Sequence, residues 1–189
     1  MTTRSEQQDV IFAFLRAVNL GKHNKVPMKP LMAALDRSSF PPAAYLLASG
    51  NVVFTPPDGV PAPADLCDRL VDLIDEEFGV RTAAVLRRPR QLREHLAADP
   101  FTAKGLAPVY VSMWDGEPDP EGLAYLAEQD FSPDALRLTE SAAIMGFDRT
   151  SHDAKLSNAL VEKRLGVTAT ARNVNTLKRL LAKFAPDAR

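Results

Sequence analysis

Cysteine is nearly absent. Cys67 is the one thiol in 189 residues, which excludes an internal disulfide or a cysteine-based metal cluster and suits a reducing compartment. Long apolar runs are missing as well: none approaches the roughly 18 residues that a membrane span needs. The opening MTTRSEQQDV has no apolar core of a secretory signal. The expectation is a cytoplasmic protein with no membrane partner. Aromatic residues make up only 7% of the chain, and they do not interleave with basic residues as on an RNA-binding sheet. His23, His95 and His152 show no paired metal-ligand spacing, so neither a metal nor any other cofactor is expected.

What is present is an ordinary globular composition, 46% hydrophobic and 25% charged. The length allows one sizeable core or two small ones of about 90 residues each. Net charge is −1 but unevenly placed: residues 1–35 carry +3, residues 36–148 carry −10 and residues 149–189 carry +6. A broad nucleic-acid footprint needs a more basic chain. A local anion site does not.

Residues 10–15 (VIFAFL) are apolar on both faces and predict a central, doubly covered strand. Met28, Leu31, Met32 and Leu35 predict a helix over 28–37, with Pro27 or Pro30 in its first turn. Short strands at 45–48 and 52–54 flank the turn signal Ser49-Gly50-Asn51, and TPPDGVPAP (55–63) reads as a loop. Leu66, Leu70, Ile74 and Phe78 predict a helix over 64–78 stopped by Gly79, followed by a strand at 83–87. That is the β-α-β-β-α-β order of a ferredoxin-like unit.

The second half nearly repeats the order: helix 90–98, strand 109–114, helix 119–129, strands 136–139 and 143–147, helix 154–165. A last helix over 174–184 stands in place of the expected final strand, and no residue-level repeat is evident. The fold class expected is α+β, two small ferredoxin-like (βαββα) units packed in one compact chain, divided into residues 1–88 and 89–189.

Three stretches could carry chemistry. In LRAVNLGKHNKVPM (15–28), Arg16 follows the strand, and Asn19, Gly21, Lys22, Asn24 and Lys25 offer donors on a loop entering a helix N-terminus, which favours anions. The bland alternative is a solvated basic loop. Ser49-Gly50-Asn51 is explained by turn chemistry unless folding brings it beside that loop. From 155 to 176, Lys155, Asn158 and Glu162 would share one polar helix stripe. Asn173 would cap the last helix by bonding the Thr176 amide, leaving Arg172 placed against the helix dipole, as though aimed at an anion.

Other features carry less. Ser151-His152-Asp153 spells a triad, but adjacent residues cannot form the required relay. Asp72, Asp75, Glu76 and Glu77 are the wet side of a helix, and Cys67 belongs to its apolar side.

Three segments, LRAVNLGKHNKVPM, LLASGNVVF and AKLSNALVEKRLGVTATARNVNTLKRL, resemble the bacterial family known as domain of unknown function 1697. The resemblance implies a compact α+β protein and brings no assigned catalytic residue. Ala17 stands where that family usually has glycine, Lys22 where a second glycine is common, Ala154 where serine precedes Lys-Leu, and Val174 where tryptophan is typical.

The leading functional expectation is a site for a small anionic, phosphate- or carboxylate-bearing molecule, built from Arg16, Asn19, Lys25, Asn51, Lys155, Arg172, Asn173 and Thr176. Lys155 and Glu162 are candidate acid–base groups, and no nucleophile is indicated. The rivals are a nucleic-acid-binding module using the basic C-terminal helices and a structural or protein-interaction domain without a ligand. The sequence sets no oligomeric state.

Overall fold

A computed structural model describes residues 10–21, 23–57, 62, 64–148 and 155–186. Lys22, Ser151-His152-Asp153, Ala154 and part of the TPPDGVPAP stretch lie outside the described residues. The protein is α+β and divides into two compact units, Met1–Pro89 with Leu180–Arg189, and Arg90–Arg179.

The first unit runs β1 (Ile11–Leu15), α1 (Met28–Arg37), β2 (Ala43–Tyr45), β3 (Asn51–Phe54), α2 (Leu66–Phe78), β4 (Ala84–Arg87). Its antiparallel sheet has the order β2-β3-β1-β4. Every residue of β1 is buried, as a central strand requires. Ile11, Ala13 and Leu15 share a core with Leu31 and Leu35 of α1 and Leu66, Leu70 and Ile74 of α2. Phe12 and Phe14 fall on the opposite face by the period of two and are fully buried too. Gly79 ends α2 in the left-handed conformation at φ 63°, its N–H donating to the Asp75 carbonyl at 2.8 Å.

After α3 (Pro89–Ala97), the second unit runs β5 (Val109–Trp114), α4 (Pro120–Glu128), β6 (Ala135–Leu138), β7 (Ala142–Gly146), α5 (Asn158–Leu165) and β8 (Ala169–Asn173). Its sheet order, β6-β7-β5-β8, repeats that of the first unit. Trp114, Met145 and Ala169 of the sheet pack with Leu126 of α4 and with Val161 and Leu165 of α5. The two helices approach unusually closely: a Cβ on Gly122 would sit 1.8 Å from the Arg164 carbonyl oxygen. The last helix, α6 (Val174–Phe184), follows β8 without a break.

Three expectations are corrected. The final strand of the second unit is present as β8, and α6 is added to it rather than replacing it. TATARN lacks the bulky β-branched run that marks a strand, but Ala169 and Ala171 pack toward the helices while Thr170 and Arg172 take the other face. α5 starts at Asn158 instead of near 154, because the Ser157 hydroxyl caps it by accepting from the Leu160 amide at 3.1 Å. β2 occupies 43–45 instead of 45–48. There the Leu46 amide donates to the Asn51 carbonyl at 3.0 Å and Leu47 takes φ 63°, which closes the turn early. Among the described residues no helix is long and apolar enough to cross a membrane.

Candidate functional site

The loop from β1 to α1 is wound by positive φ at Ala17 (51°), Asn19 (57°), Gly21 (58°) and Asn24 (50°). Three of these are not glycine, so the conformation must be held by something. The Asn19 side chain holds it. Its Nδ2 donates to the Val26 carbonyl at 2.8 Å and to the Ala48 carbonyl at 2.7 Å, and its Oδ1 accepts from the Val26 amide at 2.9 Å. The Asn19 amide itself donates to the Asn24 carbonyl at 2.9 Å. Arg16 and Lys25 stand exposed at the two ends of this braced loop.

The same bonds bring the Ser49-Gly50-Asn51 turn beside the loop. Leu15 donates its amide to the Gly50 carbonyl at 2.9 Å. Gly50 adopts φ 78°, and a Cβ there would meet Val18 Cγ2 at 2.6 Å, so glycine is required by backbone and space together. Asn51 is fully buried, its Nδ2 donating to the Leu46 carbonyl at 2.8 Å and to Ser49 Oγ at 3.0 Å. Asn19 and Asn51 thus shape the two loops with the groups that were expected to face a ligand.

The loop delivers the chain to α1, whose N-cap, Pro27, makes no side-chain cap bond and whose first turn holds no acidic residue. Lys29 lies in that first turn, exposed. A cation there opposes the helix dipole. Sequence reasoning placed that anomaly at Arg172 and passed over Lys29, although a lysine in a proline-marked first turn is the same signal.

Arg172 lies within β8, opposite Val111, and not in a linker before α6. It is buried, with Nη1 donating to Thr170 Oγ1 at 2.7 Å and to the Ala171 carbonyl at 2.8 Å. Burial pushes its guanidinium down from the ordinary arginine range to about 10, which leaves it charged at neutral pH. Asn173 closes β8 and caps α6, its Oδ1 accepting from the Asn175 amide at 2.9 Å, one residue before the expected Thr176. Thr176 is half-buried in the first turn of α6.

Lys155 precedes α5, so the expected polar stripe of Lys155, Asn158 and Glu162 does not form on one helix. Asn158 and Glu162 instead tie α5 to β8. Ser112, fully buried on β5, donates to Asn158 Oδ1 at 2.6 Å, and Asn158 Nδ2 donates to the Ala169 carbonyl at 3.2 Å. Glu162 Oε1 accepts from the Ala169 amide at 2.9 Å. Arg16, Asn19, Lys25 and Asn51 belong to the first unit; Lys155, Arg172, Asn173 and Thr176 belong to the second.

The registers reveal a correspondence that the sequence did not. Phe12 pairs with Arg87 and Leu15 with Ala84 in the first sheet; Val111 pairs with Arg172 and Trp114 with Ala169 in the second. With the ends of β1 and β5 aligned, Arg87 and Arg172 occupy one position of the shared topology. Both are buried, and both donate Nη1 to the carbonyl of the preceding residue, at 2.7 Å from Arg87 and 2.8 Å from Arg172.

A sequence model of the family described as Protein of unknown function (DUF1697) matches residues 9–143. The chain belongs to this family. The DUF1697 match takes in LRAVNLGKHNKVPM and LLASGNVVF and ends before α5, β8 and α6. Ala17, where the family usually has glycine, is one of the positive-φ positions, so a backbone reason exists for the commoner residue. Among solved structures, the conserved bacterial protein SP0830 from Streptococcus pneumoniae is similar, with TM-score 0.70 and 18% identity over 92% of this chain and 97% of that one. At that identity the likeness shows the fold alone. No curated protein matches the chain.

Proposed function

We propose that this DUF1697 protein binds a small phosphate- or carboxylate-bearing ligand at the β1–α1 loop of its first unit, Arg16 and Lys25 supplying charge. The observation that carries this reading is the braced loop running into an α1 N-terminus that has no side-chain cap, no acidic residue and an exposed Lys29 in its first turn. Amides and cations gathered there favour an anion. Asn19 acts as a positioning residue, holding the loop in a conformation with three non-glycine residues at positive φ. A cytoplasmic location fits an anionic metabolite and the single thiol, and the strand order supports a ferredoxin-like reading of each unit.

For the second unit the bonds of Ser112, Asn158 and Glu162 favour a structural reading. Their polar groups are engaged between α5, β5 and β8.

A thermal-shift titration with inorganic phosphate against chloride at matched ionic strength tests the anion reading, because a ligand of the folded state raises Tm. Phosphate should raise Tm beyond chloride and beyond sucrose, which controls for general exclusion effects. Lys25→Ala and Asn19→Ala should each reduce that rise. A wild-type Tm indifferent to phosphate, or a rise unchanged in both variants, rejects the site.

A further inference from the structure

Among the described residues two large apolar side chains stand exposed, Leu20 at 65% and Leu47 at 42%. They are neighbours. Leu20 follows Asn19 and Leu47 precedes Ala48, so the bond from Asn19 Nδ2 to the Ala48 carbonyl, at 2.7 Å, joins the two turns that carry them. Leu47 also takes φ 63°, a conformation that a residue with a Cβ disfavours, and its exposure returns little burial in exchange. The surface beside the pair is open: Gly21, Ala48 and Ser49 are exposed, and a Cβ on Gly21 would meet nothing within 4 Å. A single exposed leucine needs no explanation, whereas two on adjoining turns form an apolar patch that a partner can cover.

The charge around the patch has one sign. Between Asp9 and Asp58 the chain holds a single acidic residue, Asp36, at the far end of α1 from the loop. Arg16, Lys25 and Lys29 are all exposed on or beside the loop. A partner that covers the leucines therefore meets cations and no carboxylate from these two turns. A second copy offering the same face would bring like charges together. A nucleic acid would use the cations and leave the leucines wet, because phosphate contacts and stacking on aromatic rings hold it. An anion that carries its own carbon uses both.

We propose that the ligand of the β1–α1 loop is amphipathic, a phosphate or carboxylate on a short apolar body, its charge met by Arg16 and Lys25 and its carbon laid over Leu20 and Leu47. This inference rests on the anion reading above and adds the chemistry of the rest of the ligand.

Isothermal titration with methyl phosphate and n-hexyl phosphate tests it, with n-hexanol as the neutral control and every solute kept below its micelle concentration. n-Hexyl phosphate should bind about tenfold or more tighter than methyl phosphate, the gain from partly covering the added methylenes. n-Hexanol should show no saturable binding. Leu20→Ser and Leu47→Asn should each cut the ratio of the two phosphate affinities to about threefold or less. Both positions are exposed, and asparagine tolerates the left-handed backbone at 47, so both variants should keep the wild-type Tm. Pelleting with phosphatidylcholine vesicles, with and without phosphatidate, separates the two sources of such a ligand: retention that requires phosphatidate assigns a lipid headgroup, and no retention assigns a soluble alkyl phosphate. Equal affinity for the methyl and hexyl phosphates would overturn the amphipathic ligand and leave the anion reading standing, whereas binding of neither rejects both. A ratio undiminished in both leucine variants, or n-hexanol bound as tightly as n-hexyl phosphate, also overturns it.

Discussion

Arg172 is a charge placed inside a strand, and its equivalent Arg87 shares that fate. The folded-state pKa of Arg172, about 10, lies below the ordinary arginine range, so between the two the unfolded chain binds more protons. Stability from this group therefore rises as pH climbs through about 10 and is flat below it. Chemical denaturation of the wild type and of Arg172→Gln should show a stability difference that is constant from about pH 5 to 9 and moves in favour of the wild type near pH 10. A difference that drifts across the neutral range would contradict the assigned burial. At this scale the sequence was legible as chemistry but not as geometry. Arg172 was recognisable as anomalous from its neighbours alone, yet its place in β8 depends on pairing with Val111, 61 residues earlier. Asn19 looked like a ligand donor because its true partners are backbone carbonyls seven and 29 residues away, which no local pattern announces.

Elements with a strong amphipathic period were readable almost to their ends. α1 spans 28–37, β5 109–114 and α6 174–184, as their apolar spacing predicts. Those that depend on contacts between elements were not. α5 begins four residues late because Ser157 takes the cap, and β8 is a strand of small and polar residues made stable by pairing with β5. Gly122 illustrates the same limit: within α4 it reads as a weak helix former, whereas it is the point where α4 lies against the Arg164 carbonyl. Helix propensity alone would make Gly122→Ala stabilising by roughly 1 kcal/mol. The close approach reverses the sign, because a Cβ 1.8 Å from a backbone oxygen forces α4 and α5 apart. Gly122→Ala should destabilise by about 2 kcal/mol or more, measured as a lower denaturation midpoint with an unchanged slope.

Across the whole molecule two sheets of one strand order follow one another along the chain, β2-β3-β1-β4 and β6-β7-β5-β8. The element order was enough to expect two units. The division itself is less simple than a cut near residue 89, since Leu180–Arg189 belongs with Met1–Pro89. Leu180 and Leu181 are 0% and 9% exposed, and each buried leucine contributes about 1.5–3 kcal/mol. Truncation after residue 179 should therefore destabilise the first unit by about 3–6 kcal/mol, detected as lost protection of the β1 and β3 amides in hydrogen exchange. Protection that survives truncation would show that α6 contributes nothing to that unit. The consequence reaches beyond equilibrium. As the chain leaves the ribosome, all six strands and helices of the first unit emerge while the stretch that completes it is still unmade. The unit synthesised first is thus the one whose final form waits on residues translated after the second unit.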